Sequence, residues 1–467
     1  MKSFAAVAAL AAVSSVMATP TTPQLAARAS GASLPTVTVK GNAFFAGDTR
    51  FYMRGIDYQP GGSSNLIDPL ADEATCTRDI VKFKDLGINT VRIYTVDNTA
   101  DHSACMAALA DAGIYLVLDV NTPLYSLNRA TPAPSYNAAY LQNIFATIDK
   151  FAKYTNTLAF FSGNEVINDD TTTNCAPYVK AVTRDMRQYI GNRGYRQIPV
   201  GYSAADVDSN RMEMAAYMNC GTDDERSDFF AFNDYSWCDP SSFTISGWDV
   251  KVKNFTGYGL PIFLSEYGCI TNERKWEETT ALYSDKMTSV YSGGLAYEYS
   301  VEENGYGLVE IDGDTLTVNS DYTALKEAFA ATASPNGDGG YSSTTSASTC
   351  PPQSNTWNVT SDALPAIPSK ALEYSKTGAG DGPGLQGKGS QNSGDVSTGT
   401  ATAGSGAATG TPTGSASSSS GTSSSGSSSS SGNSSSAANS LVSPSNSHAM
   451  IFSFVTVAFT FVGAALL

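Results

Sequence analysis

Eight short β-rich runs recur between residues 51 and 299, and segments of helical character separate them. Strands that alternate with helices predict a parallel sheet, and a count of eight favours an α/β fold that closes into a (β/α)8 TIM barrel. The alternative is an open, doubly wound sheet, but no Gly-x-Gly-x-x-Gly turn follows the first run, which disfavours its dinucleotide-binding form. The predicted strands are Phe51–Tyr58, Ile88–Tyr94, Ile114–Val120, Thr157–Gly163, Gln197–Gly201, Phe229–Tyr235, Pro261–Glu266 and Gly294–Tyr299. The predicted helices include Cys76–Leu86, Tyr136–Tyr154, Pro177–Ile190 and Trp276–Tyr291.

Nearly every predicted strand ends in polar or aromatic residues, whereas the strand starts carry few of them. In a TIM barrel the carboxyl ends of the strands meet at one rim, where the chemistry takes place. This asymmetry therefore predicts a functional site at that rim. The strand ends contain Asp57-Tyr58, Arg92-Ile93-Tyr94, Asp119, Asn164-Glu165, Asn233-Asp234-Tyr235, Glu266 and Tyr297-Glu298-Tyr299.

Two glutamates, Glu165 and Glu266, each close an apolar run about a hundred residues apart. A carboxylate at the end of a buried strand is costly unless it has a partner or a task. Each glutamate alone could be a structural ion pair, but two at matching strand ends favour a paired acid/base site. Carboxyl groups about 5 Å apart cleave a glycosidic bond with retention of configuration. We assign Glu165 as acid/base and Glu266 as nucleophile, with Asn164 placed to bond the sugar 2-hydroxyl.

Other residue types narrow the chemistry further. Tyr58, Tyr94, Tyr235 and Tyr297 suit the apolar faces of sugar rings, although each could equally be barrel packing. The chain has two histidines and no Cys-x-x-Cys pair, so we expect no metal site and no cofactor. His102 lies in an Asp-rich segment and is expected at the surface.

Both ends of the chain indicate export. Residues 1–18 have a positive start, a short apolar stretch and a small-residue cleavage site, as a signal peptide has. Residues 441–467 end in an apolar tail without flanking Lys or Arg, which predicts a removable GPI-attachment signal. Ser436 is the predicted attachment residue and Asn439 the alternative, and a single-pass tail anchor is the rival interpretation. We expect the protein on the extracellular face of the plasma membrane, held there by the GPI lipid alone, or in the cell wall.

The chain between these signals falls into three predicted parts. Residues 34–332 form the barrel and residues 333–388 an extension. Residues 389–440 are rich in Ser, Gly, Thr and Ala and are expected to be a disordered stalk. The net charge of −16 argues against nucleic acid as a partner. Asn254 and Asn358 lie in glycosylation acceptor motifs, and we expect a monomer.

Four segments carry a resemblance to a known family. Residues 51–61, 162–168, 232–238 and 264–269 read FYMRGIDYQPG, SGNEVIN, FNDYSWC and LSEYGC. Together they resemble the fungal GPI-anchored β-1,3-glucanosyltransferases of glycoside hydrolase family 72, from about Pro35 to Leu385. The resemblance implies an enzyme that cleaves a β-1,3-glucan internally and transfers the new end to the non-reducing end of another β-1,3-glucan, which elongates cell-wall glucan. A β-1,3-glucan hydrolase with the same glutamates, or a non-catalytic wall protein that binds glucan, remains an alternative.

The resemblance also implies roles for individual residues. Glu165 and Glu266 match the acid/base and nucleophile positions, and Tyr235 is expected to hydrogen-bond the nucleophile. The expected donor-sugar contacts are Tyr94, Asn121, Tyr125, Arg129, Asn164 and Tyr297. The expected acceptor-side contacts are Asp206 and Arg211.

The family further implies the disulfides Cys76–Cys105, Cys220–Cys350 and Cys238–Cys269, with Cys175 left over. The Cys220–Cys350 bond would tie the extension back to the barrel. Some members carry a second, cysteine-rich glucan-binding module, but Cys350 is the last cysteine of this sequence, so we expect no such module.

Overall fold

A computed structural model describes residues 34–402 and 404–407 of the chain. The predicted signal peptide, both GPI-attachment candidates and the apolar tail lie outside these residues. Within the described residues, no helix is both long enough and apolar enough to cross a membrane.

Eight parallel strands close into a barrel, which confirms the predicted fold class. The chain first forms a three-stranded antiparallel sheet of β1 (Val37–Lys40), β2 (Ala43–Ala46) and β3 (Thr49–Phe51). The barrel strands follow as β4 (Met53–Tyr58), β5 (Thr90–Ile93), β6 (Tyr115–Asp119), β7 (Thr157–Asn164), β8 (Val200–Ala204), β9 (Phe229–Asp234), β10 (Ile262–Tyr267) and β11 (Tyr291–Ala296). A hairpin of β12 (Val309–Asp312) and β13 (Thr315–Val318) comes after the barrel.

Helices connect the strands and surround the barrel. They are α1 (Glu73–Leu86), α2 (Ser103–Asp111), α3 (Pro132–Ser135), α4 (Ala138–Phe151), α5 (Ala176–Asn192), α6 (Arg211–Met218), α7 (Trp248–Phe255), α8 (Glu278–Leu282), α9 (Ser320–Ala331) and α10 (Ser369–Thr377). A 3-10 helix, Asp170–Cys175, precedes α5. Local chemistry sets several boundaries: Asp72 caps the start of α1 by accepting a hydrogen bond from the Thr75 amide, and Gly87 ends it in the left-handed conformation.

The lower half of the barrel is an aromatic core. Phe44 of the N-terminal sheet packs against Phe229 and Phe263 with ring centroids 6.0 and 5.9 Å apart, so this sheet closes the amino end of the barrel. Phe161 lies in the same cluster. Because the amino end is filled by apolar side chains, the polar strand ends are left at the opposite rim.

Three local predictions are wrong in their bounds. β8 begins at Val200 rather than Gln197, since Pro199 has no N–H for the ladder. β11 spans Tyr291–Ala296 rather than Gly294–Tyr299. β11 includes Gly293, where a Cβ would clash with the carbonyl oxygen of Met53 in the neighbouring strand β4. The helix expected over Trp276–Tyr291 is only Glu278–Leu282, because the Ser284 hydroxyl donates to the Ala281 carbonyl and competes with the helical pattern.

His102 is buried rather than at the surface. Its Nε2 lies 2.7 Å from Asp68 Oδ2, and its ring packs on Phe151. The sequence could not show this, because Asp68 is 34 residues away and belongs to a different loop.

The predicted disorder of residues 389–440 is wrong for its first part. Residues 389–402 and 404–407 pack on the barrel and on the extension. Asn137 Nδ2 donates to the Ser390 carbonyl at 2.5 Å and Gln391 Nε2 to the Ser126 carbonyl at 2.8 Å. The amino-acid composition does not reveal this order, because hydrogen bonds to the barrel hold the segment in place and burial of apolar side chains does not. The rest of the predicted stalk lies outside the described residues.

All three implied disulfides are present: Cys76–Cys105, Cys220–Cys350 and Cys238–Cys269. The Cys220–Cys350 bond ties the extension to the end of α6. Cys175 is buried and unpaired, and burial raises its thiol pKa to about 12. A thiol with such a pKa stays protonated and inert at neutral pH.

Candidate active site

The barrel brings the two predicted catalytic glutamates to the same rim. Glu165 directly follows β7 and Glu266 lies near the end of β10. Glu165 has a φ of 48°, in the left-handed region that a non-glycine residue seldom occupies. Its amide donates to the Ser203 carbonyl at 2.9 Å, and Arg129 Nη2 donates to its carbonyl at 2.8 Å. Such strain persists where neighbours enforce it, and it is frequent at active sites.

Asn233 connects the surroundings of the two glutamates. Its Nδ2 donates to Glu165 Oε1 at 2.8 Å, and its Cα is the register partner of Glu266 in the β9–β10 pair. The Ser265 hydroxyl donates to Asn233 Oδ1 at 2.9 Å, which fixes the orientation of the amide. The carboxyl groups are close enough for the charge of Glu165 to raise the pKa of Glu266.

Glu266 is buried and accepts three hydrogen bonds; 6% of its surface is exposed. Tyr94 donates its hydroxyl to Oε1 at 2.8 Å, Tyr235 donates to Oε2 at 2.7 Å, and Arg92 Nη1 lies 3.3 Å from Oε1. Burial raises the pKa of Glu266, whereas the Arg92 charge and the two tyrosine donors lower it. With both oxygens held, the carboxylate keeps one orientation, as a nucleophile requires. The predicted hydrogen bond between Tyr235 and Glu266 is present, and the role of Glu266 as nucleophile stays a prediction.

Arg92 supplies the positive charge beneath Glu266. It is fully buried and donates to Asp119 from Nε at 2.8 Å and from Nη2 at 3.2 Å. Its guanidinium also packs over the Phe161 ring, at the top of the aromatic core. Asp57 lies 3.8 Å from Arg92, and burial raises the pKa of Asp57 well above its ordinary value. Arg92 thus lies among three carboxyl groups, those of Asp57, Asp119 and Glu266.

Four tyrosines form a wall around the nucleophile. Tyr297 makes edge contacts with Tyr94, Tyr235 and Tyr306, with ring centroids 6.5, 6.3 and 5.2 Å apart. Aromatic rings in this arrangement offer faces for sugar rings and hydroxyls for hydrogen bonds. Tyr58, which the sequence also suggested for this purpose, is buried and donates its hydroxyl to Asp79, so it belongs to the packing.

The predicted donor-side residues gather at this rim with one exception. Asn164 accepts a hydrogen bond from Ser203 at 2.6 Å, and Asn121 Oδ1 accepts one from Tyr140 at 2.5 Å. Arg129 is exposed beside Glu165. Tyr125 is the exception: it is buried, and its hydroxyl accepts a hydrogen bond from the Gly389 amide at 3.3 Å. The C-terminal segment therefore covers Tyr125, and its assignment as a sugar contact stays a prediction.

The predicted acceptor-side residues form one linked group. Arg211 pairs with both Asp206 and Asp208. Asp206 Oδ2 accepts a hydrogen bond from the Tyr235 amide at 3.0 Å. This group is thus connected to the nucleophile through Tyr235.

Sequence reasoning placed Arg92, Asp119 and Asn233 at the functional rim without giving them roles, and it missed Tyr306. The first three had a signal, since each is a polar residue in an otherwise apolar strand end. Tyr306 had none, because it lies in the loop between β11 and β12. Among the described residues, no group of three or more His, Cys, Asp or Glu side chains could hold a metal ion.

Comparisons with known proteins agree with this geometry. Residues 26–333 match the family described as Glucanosyltransferase, glycoside hydrolase family 72. The chain is 67% identical over 352 residues to 1,3-beta-glucanosyltransferase gel1 of Aspergillus fumigatus, a match that covers 75% of this chain and 78% of that protein. It is 56% identical over 361 residues to 1,3-beta-glucanosyltransferase GAS5 of Saccharomyces cerevisiae, covering 76% and 74%.

A solved structure is similar over the same region. A Saccharomyces cerevisiae Gas2p mutant in complex with laminaritetraose and laminaripentaose superimposes with a TM-score of 0.67 at 39% identity, covering 72% of this chain and 76% of that one. Family match, identity and fold all point the same way. The chain therefore belongs to the glucanosyltransferases of glycoside hydrolase family 72.

Proposed function

We propose that this protein is a retaining β-1,3-glucan transglycosylase that lengthens cell-wall glucan. The observation that carries the proposal is the pairing of Glu266, held by three donors, with Glu165, held by Asn233, at one rim of the barrel. The names of its relatives and the laminari-oligosaccharides bound by Gas2p support β-1,3-glucan as both donor and acceptor.

In the first half-reaction the Glu266 carboxylate attacks the anomeric carbon of a glucose unit inside the donor chain. The glycosidic C–O bond breaks, and Glu165 gives its proton to the departing oxygen. The products are a glycosyl ester on Glu266 and a free glucan fragment with a new non-reducing end. Tyr94, Tyr235 and Arg92 hold the nucleophile in place during this step, so little reorganisation is required.

In the second half-reaction Glu165 acts as the base. It takes the proton of the 3-hydroxyl at the non-reducing end of an acceptor glucan, and that oxygen attacks the anomeric carbon of the ester. The bond to Glu266 breaks, the carboxylate is restored, and a new β-1,3 bond forms with the original configuration. The Asp206–Arg211 pair beside Tyr235 supports an acceptor sugar on this side.

The products made from a laminari-oligosaccharide of a single length test the proposal. Mass spectrometry of wild-type reactions should reveal products longer than the starting material, and Glu165→Gln and Glu266→Gln should each abolish them. Glu310→Gln, which neutralises an exposed glutamate on β12, is the matched control and should behave as wild type. Products that are only shorter would support the hydrolase alternative, and unchanged substrate would support a non-catalytic glucan-binding protein.

We further propose that the mature protein acts as a monomer outside the cell, attached to the plasma membrane through a GPI lipid. The terminal sequence signals support this location. Exposed Asn254 and Asn358 are compatible with N-glycosylation. Release by a phosphatidylinositol-specific phospholipase, followed by sedimentation of the soluble form, tests both statements.

A further inference from the structure

A segment near the end of the described chain runs along one of the loops at the barrel rim. This segment, residues 387–396, is named the strap. The loop, residues 120–137, joins β6 to α4 and contains the short helix α3. It carries Asn121, Tyr125 and Arg129, three of the expected donor-sugar contacts. Loops of this length inside a compact domain usually have a function, so a segment that fixes the loop can affect the reaction.

Consecutive strap residues bind consecutive loop residues. The Ser390 amide donates to the Leu124 carbonyl at 3.0 Å, and Gln391 Nε2 donates to the Ser126 carbonyl at 2.8 Å. The Gly389 amide donates to the hydroxyl of the tyrosine between these two loop residues, at 3.3 Å. Because these bonds follow one another along both segments, they fix the path of the loop rather than a single point on it.

The strap also binds the far end of the loop. Asn137 Nδ2 donates to the Ser390 carbonyl at 2.5 Å, and the Ala138 amide donates to the Asp395 carbonyl at 3.1 Å. Asn137 and Val396 form an isolated antiparallel bridge. The strap therefore spans the loop from its middle to the start of α4.

Close packing accompanies these hydrogen bonds. Ser390 is fully buried although it lies in a segment rich in Ser and Gly. Gly387 lies so close to Tyr125 that a Cβ at this position would overlap the tyrosine hydroxyl. The strap and the loop thus leave no room between them for an additional methyl group at residue 387.

Arg129 connects the loop to the acid/base glutamate. Its Nη2 donates to the Glu165 carbonyl at 2.8 Å, on the other side of the peptide from the Glu165 amide, which donates to Ser203. Glu165 has a φ of 48°, and such a backbone conformation persists only where neighbours enforce it. Since the Arg129 side chain is exposed, its position depends on the loop that carries it. An unbroken series of contacts therefore joins the strap to Glu165.

We propose that the strap is a positioning element of the active site. It holds the loop, and with it Arg129, so that Glu165 keeps the conformation in which it donates and accepts the proton. This inference rests on the proposed function, in which Glu165 is the acid/base residue. Gln391 and Gly387 become positioning residues, although both lie beyond residues 26–333, the region that the family model matches.

Two substitutions in the full-length chain weaken the strap in different ways. Gln391→Ala removes the hydrogen bond to Ser126, and Gly387→Ala forces the strap and Tyr125 apart. Asn392→Ala is the matched control, because Asn392 is the exposed next residue and its side chain makes no hydrogen bond within the described residues. Gln391→Ala changes no backbone contact, so it serves as the test if Gly387→Ala does not fold.

The assay compares two aryl β-laminari-oligosaccharide donors that differ in their leaving group. A dinitrophenyl group departs without protonation, whereas a methylphenyl group needs the proton of Glu165. Gln391→Ala should lower kcat/KM for the methylphenyl donor about fivefold, the effect of one hydrogen bond, and Gly387→Ala should lower it at least as much. Both variants should leave the dinitrophenyl donor nearly unchanged, and Asn392→Ala should behave as wild type. Equal losses for the two donors, or no loss for either, would overturn the proposal.

A double-mutant cycle tests the route through Arg129. Arg129→Ala alone removes the hydrogen bond to Glu165 and should also slow the methylphenyl donor selectively. If the strap acts through Arg129, adding Gln391→Ala to this variant causes no further loss. Losses that multiply would show that the strap does not act through Arg129 and would overturn the proposed route.

Failure of the proposed function gives a different result. If Glu165→Gln cleaves both donors as fast as wild type, Glu165 is not the acid, and the proposed function is wrong. Hydrogen exchange then decides the strap separately, because it does not depend on the reaction. Amides of residues 121–131 should exchange faster in Gln391→Ala than in Asn392→Ala. Equal exchange in the two variants would reject the strap as the element that holds the loop.

Discussion

Replacing Tyr235 by phenylalanine removes one of the three hydrogen bonds that hold Glu266. The Tyr235 hydroxyl donates to Oε2 at 2.7 Å, and this donor favours the charged form of the carboxyl. Since Glu266 must be deprotonated to attack, activity is lost as pH falls through its pKa. Loss of the donor raises that pKa further, so the acidic limb of the pH profile moves to higher pH.

The size of the shift follows from the contacts that remain. A hydrogen bond to a charged group contributes about 1.5–3 kcal/mol, and one pKa unit corresponds to about 1.4 kcal/mol. Glu266 keeps Tyr94 at 2.8 Å and Arg92 at 3.3 Å on its other oxygen. The expected shift is therefore at the lower end, about one unit.

The assay is the pH dependence of kcat/KM for the Tyr235→Phe variant, with an aryl laminari-oligosaccharide as donor. Tyr306→Phe is the control. Its ring packs on Tyr235 at 5.4 Å, but among the described residues no hydrogen bond joins its hydroxyl to Glu266. The control should retain the acidic limb of wild type. An unshifted limb in Tyr235→Phe, or a shift to lower pH, would refute the assignment of Tyr235 as a donor to a catalytic carboxylate.

Three further perturbations have defined outcomes. Asn233→Ala should lower kcat about 10- to 100-fold with a smaller change in KM, because the bond that orients the acid/base residue is lost; steady-state kinetics checks this. Truncation after residue 407 should leave the thermal unfolding midpoint unchanged. Truncation after residue 378 should lower that midpoint by a few degrees, because residues 379–407 form hydrogen bonds with the barrel. Equal midpoints for the two truncated proteins would contradict this packing. The Cys220–Cys350 bond spans 130 residues and Cys76–Cys105 spans 29, so loop entropy makes the former about 1.3 kcal/mol more stabilising. Calorimetry should therefore show a larger loss for Cys350→Ser than for Cys105→Ser, and the reverse order would contradict the entropic argument.

The barrel and the two glutamates proposed as its catalytic pair could be predicted from the sequence because both depend on local patterns. Parallel strands buried on both faces read as apolar runs, and a carboxylate at the end of such a run is conspicuous. Glu165 and Glu266 could therefore be identified from the residue pattern alone. Asn233 and Arg92 were visible in the same way, but their roles depend on which strands become neighbours, and the sequence does not give the register.

Other features depend on contacts between distant segments of the chain, and such contacts leave no pattern in the local sequence. Tyr125 is of a residue type that often contacts sugars. In the structure, the amide of Gly389, 264 residues later, donates a hydrogen bond to its hydroxyl. The segment after residue 389 has the composition of a disordered chain, but Asn137 and Ser126 of the barrel bind it. Order that arises from hydrogen bonds to another element cannot be inferred from local apolar content.

In the proposed double displacement, Glu266 attacks the sugar and Glu165 donates and accepts the proton. Azide rescue of the alanine variants tests it most directly, with an aryl β-laminari-oligosaccharide as donor. In Glu165→Ala the ester on Glu266 still forms, and azide attacks its open face, so the account predicts a β-glycosyl azide. In Glu266→Ala azide takes the place of the missing carboxylate and displaces the aryl group directly, so the account predicts an α-glycosyl azide. The opposite pair of configurations would reverse the two roles, and rescue of neither variant would contradict the double displacement itself.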